Sequence, residues 1–145
     1  MPLHPMLVHF PIAFWFLGSV VLVAALIGKR ESWWHAGWLL LIAATVCAYP
    51  AVLAGQNEFA EMAEQGSQHL SNHRDMGNFL PWPMTVLVLW YLHGRFSRQG
   101  GKVPKRLMTV VVLGVAGLIA YAASQGGHAV YGDGVGREKS YVQNK

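Results

Sequence analysis

Residues Phe10–Gly28 read FPIAFWFLGSVVLVAALIG, a run without one ionisable side chain that is closed by Lys29-Arg30. A helix rises 1.5 Å per residue and a bilayer's hydrocarbon core is ~30 Å thick, so a run of this length is close to one membrane span. Three further apolar runs follow, at about 37–54, 76–92 and 107–123. The third reaches length only if its helix starts near Met76 and passes through Pro81 and Pro83. Proline lacks the N–H that a helix interior needs, which predicts a kink or a distorted first turn there. The pattern predicts an all-α, polytopic integral membrane four-helix bundle. One transmembrane domain covers residues 1–126, with a loop at 55–78 and a Gly-rich, then charged, tail at 127–145.

Composition supports the same class. The chain has 145 residues, enough for one domain, and only 12% are charged against 53% hydrophobic. That is half the ~25% charge of an average soluble domain, too little to cover a water-facing surface. Disorder is excluded over most of the chain, because it needs low hydrophobicity and high net charge. The single cysteine, Cys47, rules out an internal disulfide, a Cys-rich zinc site and an iron–sulfur cluster held by this chain alone. A net charge of +4 would point to nucleic acid in a soluble protein. Here it is a matter of topology, and no nucleic-acid partner is expected.

The residues before the first span, MPLHPM, hold no Lys or Arg, and the apolar run outlasts a signal peptide's core. The segment therefore reads as a retained span. Lys29 and Arg30 lie in one loop; Arg95, Arg98, Lys102, Lys105 and Arg106 lie in the loop two spans later. In an up-down bundle both loops share a side, which the positive-inside rule makes cytoplasmic. The termini and loop 55–78, with Glu58, Glu61, Glu64 and Asp75 against Arg74 alone, then face outward. Within that loop Phe59, Met62, Ala63 and Leu70 outline a short amphipathic helix on the outer surface, interrupted at Gly66. Trp33, Trp34 and Trp38 near one boundary, and Tyr49, Trp82 and Tyr121 near the other, suit interfacial belts or bundle packing equally. Small residues at Ala44, Ala48, Ala51 and Gly55 line the second span, and Ala116, Ala120 and Ser124 line the fourth, with Gly114 and Gly117 nearby. Such faces allow close helix approach within one chain or in a homo-oligomer.

Five of the seven histidines, His4, His9, His69, His73 and His128, belong to the outer side; His35 and His93 belong to the inner side. Ionisable groups at the edge of a membrane bundle commonly face its interior and mark function. Histidine is also the commonest metal ligand. Facing imidazoles across helices are the ligand set of haem b in membrane bundles. His9 and His73 are the expected axial ligands, with His4 as a partner behind them or a ligand of a second haem, and Arg74 placed for a propionate. The alternative is a copper or zinc ion held by some of His4, His9, His69, His73 and His128, or a cofactor-free structural or assembly subunit. The segment His69–His73 reads HLSNH and lacks the Glu of a zinc protease. No Gly-rich phosphate loop or GxSxG elbow is present, so an electron carrier or subunit is expected rather than a stand-alone enzyme. Phe14, Trp15 and Trp82 are a candidate docking place for quinone.

The run LHPMLVHFPIAFWFLG, Leu3 to Gly18, resembles the opening of a bacterial membrane family, domain-of-unknown-function family 2231, through His4, Pro5, His9, Phe10 and Pro11. The family's His before the third span is matched by His73. Its late Gly-Gly-x-x-Val-Tyr-x-x-Gly-Val-Gly stretch is matched by Gly126, Gly127, Val130, Tyr131, Gly134, Val135 and Gly136. The motifs cover His4, His9 and His73; His128 falls at an unmatched position and His69 outside them. The resemblance implies four transmembrane helices in a bacterial inner membrane. Some relatives join the domain to Rieske-type or cytochrome c-type modules, which implies membrane electron transfer and haem for the histidines.

Overall fold

The computed structural model describes residues 4–62, 67–97 and 104–135, and among them every regular element is helical. There are six helical segments: α1 (His4–Leu7), α2 (His9–Gly28), α3 (Glu31–Met62), α4 (Gln68–Phe79), α5 (Pro81–Phe96) and α6 (Lys105–Tyr131). They make four rods. α1 and α2 are broken only at Val8, where Pro11 has no N–H to give to Leu7. Backbone bonds from Val8 to the His4 carbonyl (2.9 Å) and from Ile12 to the Val8 carbonyl (3.4 Å) carry the course across. α4 and α5 meet at Leu80 in the same way, with Pro81 opening α5 and Met84 reaching back to the Leu80 carbonyl at 3.3 Å. Proline is tolerated in a first turn because its missing N–H is an orphan there anyway.

The break has a cost for the expected third span. The apolar helix starts at Pro81 rather than Met76 and has 16 residues, about 24 Å of rise. Three helical stretches are long and apolar enough to cross a membrane: His4–Gly28, Glu31–Phe59 and Lys105–Tyr131. α3, at 32 residues, extends well past the apolar run that ends at Ala54, so its last turns carry Gln56, Asn57 and Glu58 beyond any bilayer core. The expected interruption at Gly66, the side chains of Glu61, Met62 and Glu64, residue Ala63, the cations Arg98 and Lys102, and the tail beyond Val135 lie outside the described residues.

α2 packs on α3 and α6, and α5 on α3 and α6, so α2 and α5 occupy one diagonal of the bundle and α3 and α6 the other. The α2–α3 contact is backbone-close. A Cβ on Gly18 would lie 3.1 Å from the Gly37 carbonyl, and one on Gly37 would lie 3.2 Å from the Gly18 carbonyl. The turn between them is two residues, with Lys29 left-handed at φ 49°. Trp15, Leu22, Trp38, Leu41, Met84, Met108 and Val112 fill the centre with less than 2% exposure. Trp15 Nε1 donates to the Val112 carbonyl at 3.2 Å, tying α2 to α6.

Trp34 and Trp38 belong to this core rather than to a boundary belt, whereas Trp33, Tyr49, Trp82 and Tyr121 face outward. Trp38 stacks on Tyr91 with centroids 4.4 Å apart and planes 2° from parallel. Tyr91 in turn shares a 2.9 Å hydrogen bond with His35 Nδ1. Outward-facing Leu17, Val20, Ile27, Leu39, Val46, Val86, Leu89, Val110 and Leu113 form an apolar coat that water would penalise and lipid does not. Of the small residues on α6, Ala116 is buried in the core, while Ala120, Ser124, Gly114 and Gly117 face outward.

Candidate functional site

The end of the bundle remote from Lys29-Arg30 is where the histidines gather. His4 comes from α1, the extension of α2; His73 comes from α4, the extension of α5. Because α2 and α5 are diagonal, the two side chains meet across the bundle, with ring centroids 5.8 Å apart and planes at 72°.

Each ring is seated in the same way. His4 Nδ1 lies 2.7 Å from the Ala51 carbonyl and His73 Nδ1 lies 2.7 Å from the Ala122 carbonyl. A carbonyl oxygen only accepts, so Nδ1 carries the proton in both and Nε2 keeps its lone pair. Four residues beyond each carbonyl stands a glycine, Gly55 or Gly126. A Cβ on Gly55 would be 2.8 Å from His4 Nδ1, and one on Gly126 would be 3.0 Å from His73 Nδ1. The seat is thus Ala-x-x-x-Gly on a helix, used once on α3 and once on α6. The arrangement is an approximate two-fold repeat: an extended rod supplies the ring, and the following rod supplies the carbonyl and the gap.

Polar contacts fix the surroundings. The His4 backbone N–H donates to Glu58 Oε1 at 2.8 Å, tying the start of α1 to the projecting end of α3. Gln56 Nε2 donates to Asn78 Oδ1 at 2.9 Å, and Asn72 Nδ2 to Gln125 Oε1 at 3.4 Å, holding α4 against α3 and α6. Two cavities of about 70 and 80 Å³ flank the pair, both lined by His4, Val52, His73 and Gly77. One is polar-rimmed, with Gln56, Glu58, Arg74 and Asn78. The other is apolar, with Ile12, Ala48, Leu80, Met84 and Ile119 among its walls.

Of the remaining candidates, only Arg74 borders this pair. His9 is exposed and its Nδ1 donates to the Pro5 carbonyl one turn earlier, so the structure brings His73 to His4 and not to His9. Arg74 lines the polar cavity, pairs with Asp75 Oδ1 at 2.7 Å and lies over the Phe59 ring at 4.4 Å. His69 and His128 form a separate pair, with centroids 5.4 Å apart. Asp133, beyond α6, receives Ser67 Oγ at 2.5 Å and faces His69 Nδ1 at 3.0 Å. These two contacts, the hydroxyl first, hold its carboxyl below the usual range. Of the residues named for quinone, Trp15 is fully buried and Trp82 faces outward.

Two features escaped the reading of the sequence. The ring seats were visible only as one small-residue pattern, Ala51 to Gly55; the equivalent Ala122 to Gly126 was hidden inside a Gly-rich segment. At the opposite end a cavity of about 510 Å³ is lined by Glu31, Trp34, His35, Tyr91, Arg95 and Lys105, where Glu31 pairs with Lys105.

Among comparisons with known proteins, the profile of a family described as "Predicted membrane protein (DUF2231)" matches residues 1–139, nearly the whole chain. No curated protein and no solved structure matches it.

Proposed function

This chain belongs to the DUF2231 family of predicted membrane proteins, and from that premise we propose that it is a haem b-binding protein of the bacterial inner membrane that passes electrons. Its basic loops lie in the cytoplasm and its histidine end faces out. The observation that carries the reading is the His4–His73 pair, two imidazoles from diagonal rods with each Nδ1 bonded to a helix carbonyl. Imidazoles that ligate a metal characteristically donate their other N–H to a carbonyl or carboxylate, which fixes the tautomer. The two rings, 5.8 Å apart, are close enough that both would reach one metal ion.

The donor set favours haem over copper or zinc at this pair. Among the described residues no group of three or more His, Cys, Asp or Glu side chains is placed to surround one ion. A closed zinc site takes four protein ligands, whereas haem would need only two from protein. The flanking cavities match an amphipathic ligand, apolar on one side and carrying Arg74, Gln56 and Asn78 on the other. Each, and the two taken together, is smaller than the ~300–1,000 Å³ of an ordinary ligand site, so haem would enter only if the helices lining them part.

Haem would supply a one-electron couple. The chain's part is to hold two imidazoles by their Nδ1 protons, to present an apolar wall that excludes water, and to offer Arg74 to a carboxylate at the rim. Rieske-type or cytochrome c-type proteins and quinone are the partner classes this reading implies. The test is an absorption spectrum of protein purified in detergent from haem-sufficient cells, oxidised and then reduced with dithionite. A sharp band appearing on reduction is expected; a flat spectrum in both states overturns the reading.

A further inference from the structure

The second histidine pair has its own construction. Leu70 on α4 and Ala129 on α6 are buried together in a small cluster with Val135, against which Phe59 packs. The residue preceding each, His69 and His128, therefore emerges beside the other on the surface, with rings 5.4 Å apart and 32° from parallel. The side chain of His69 is 43% exposed, so its ring is reachable from solvent. His69 is not free to turn. Asp133 Oδ2 lies 3.0 Å from its Nδ1, and the same oxygen is held by Ser67 Oγ at 2.5 Å. A carboxylate accepts only, so Nδ1 is the protonated nitrogen and Nε2 is left as the ligand atom. A carboxylate behind an imidazole is the arrangement that orients metal-binding histidines and raises their basicity.

Two imidazoles bound to one ion at a tetrahedral angle, with bonds of ~2.0–2.1 Å, place their ring centroids ~5 Å apart. We propose that His69 and His128 form a surface site for a divalent transition ion of the zinc class, with Asp133 and Ser67 orienting His69. Two protein donors leave the other positions to water, which makes the site open and exchangeable rather than a closed structural one. Its ligands come from the start of α4 and the last turn of α6. A bound ion therefore clamps the two elements that seat His73, and it raises the stability of the folded chain by mass action.

The site shares no ligand with His4–His73, so the two readings stand or fall separately. The experiment is a titration of the full chain in detergent, without a polyhistidine tag, with zinc chloride, read by calorimetry and by the unfolding temperature. Saturable zinc binding that raises the unfolding temperature is expected. Both effects should be weakened about tenfold or more in His69→Ala and in His128→Ala, and weakened less in Asp133→Asn, where orientation alone is lost. His4→Ala, on an element that carries neither ligand, should bind zinc as the wild type does. Absence of binding in the wild type, or equal binding in His69→Ala and His128→Ala with helical content intact, overturns the proposal. Loss of binding in His4→Ala overturns it too, because it places the ion at the other pair.

Discussion

Replacing Gly37 by valine is expected to destabilise the chain by about 1–3 kcal/mol or more, enough to depress its unfolding temperature markedly. A Cβ at this position would stand 2.7 Å from Leu22 Cδ2, 3.0 Å from Leu22 Cγ and 3.2 Å from the Gly18 carbonyl. Leu22 is fully buried, so it cannot swing into open space, and the Gly18 carbonyl is backbone. The only relief is to part α2 from α3 along the whole hairpin, which loosens the core around Trp15 and Leu41. Gly117→Ala is the control, because nothing lies within 4 Å of its added atom. It removes a helix-interior glycine, a change worth up to ~1 kcal/mol in favour of the helix, and should leave the unfolding temperature level or raise it. Thermal unfolding of both variants in the same detergent, followed by tryptophan fluorescence, checks the pair. Equal effects would show that backbone proximity of α2 and α3 is not what holds the bundle.

Gly55→Ala and Gly126→Ala are expected to act as a matched pair on cofactor binding. Each adds one methyl under an imidazole, at 2.8 Å from His4 Nδ1 or 3.0 Å from His73 Nδ1. The ring must lift, and its 2.7 Å bond to the Ala51 or Ala122 carbonyl is lost. Removing the group that orients a ligating histidine commonly costs 10–100-fold in affinity, and a loss of that order is expected for haem in both variants. Gly127→Ala, with nothing within 4 Å of the added atom, should bind as the wild type does. Haem titration followed in the Soret region reads all three. A loss in only one of the matched pair would break the two-fold logic of the site.

The apolar runs made the helices legible, because a bilayer demands length and low charge and the sequence states both. Pro81 was legible too: it cannot donate, and it sits just beyond the break at Leu80, whereas the break at Val8, three residues before Pro11, was not foreseen. Which face of a helix turns inward was harder to read. A span that is apolar all round has no polar face to mark its outside, so Trp34 and Trp38 could not be separated from Trp33 by pattern. The choice of His4 over His9 depends on the same missing phase. The two residues are five apart, which on a helix turns them to different faces, and only the course of α1 across Val8 decides which one looks into the bundle. The seats at Gly55 and Gly126 stayed obscure because their meaning is a contact 47 or 49 residues away, from His4 to Ala51 and from His73 to Ala122. No local spacing encodes such a contact.

The central claim is that His4 and His73 together are the cofactor's ligands, and haem content per chain across single histidine variants tests it most directly. Pyridine haemochrome analysis of purified wild type, His4→Ala, His73→Ala and His9→Ala gives the answer in one series. The account predicts haem in the wild type and in His9→Ala, and its loss from both His4→Ala and His73→Ala. Haem that survives in His4→Ala and disappears from His9→Ala would contradict it.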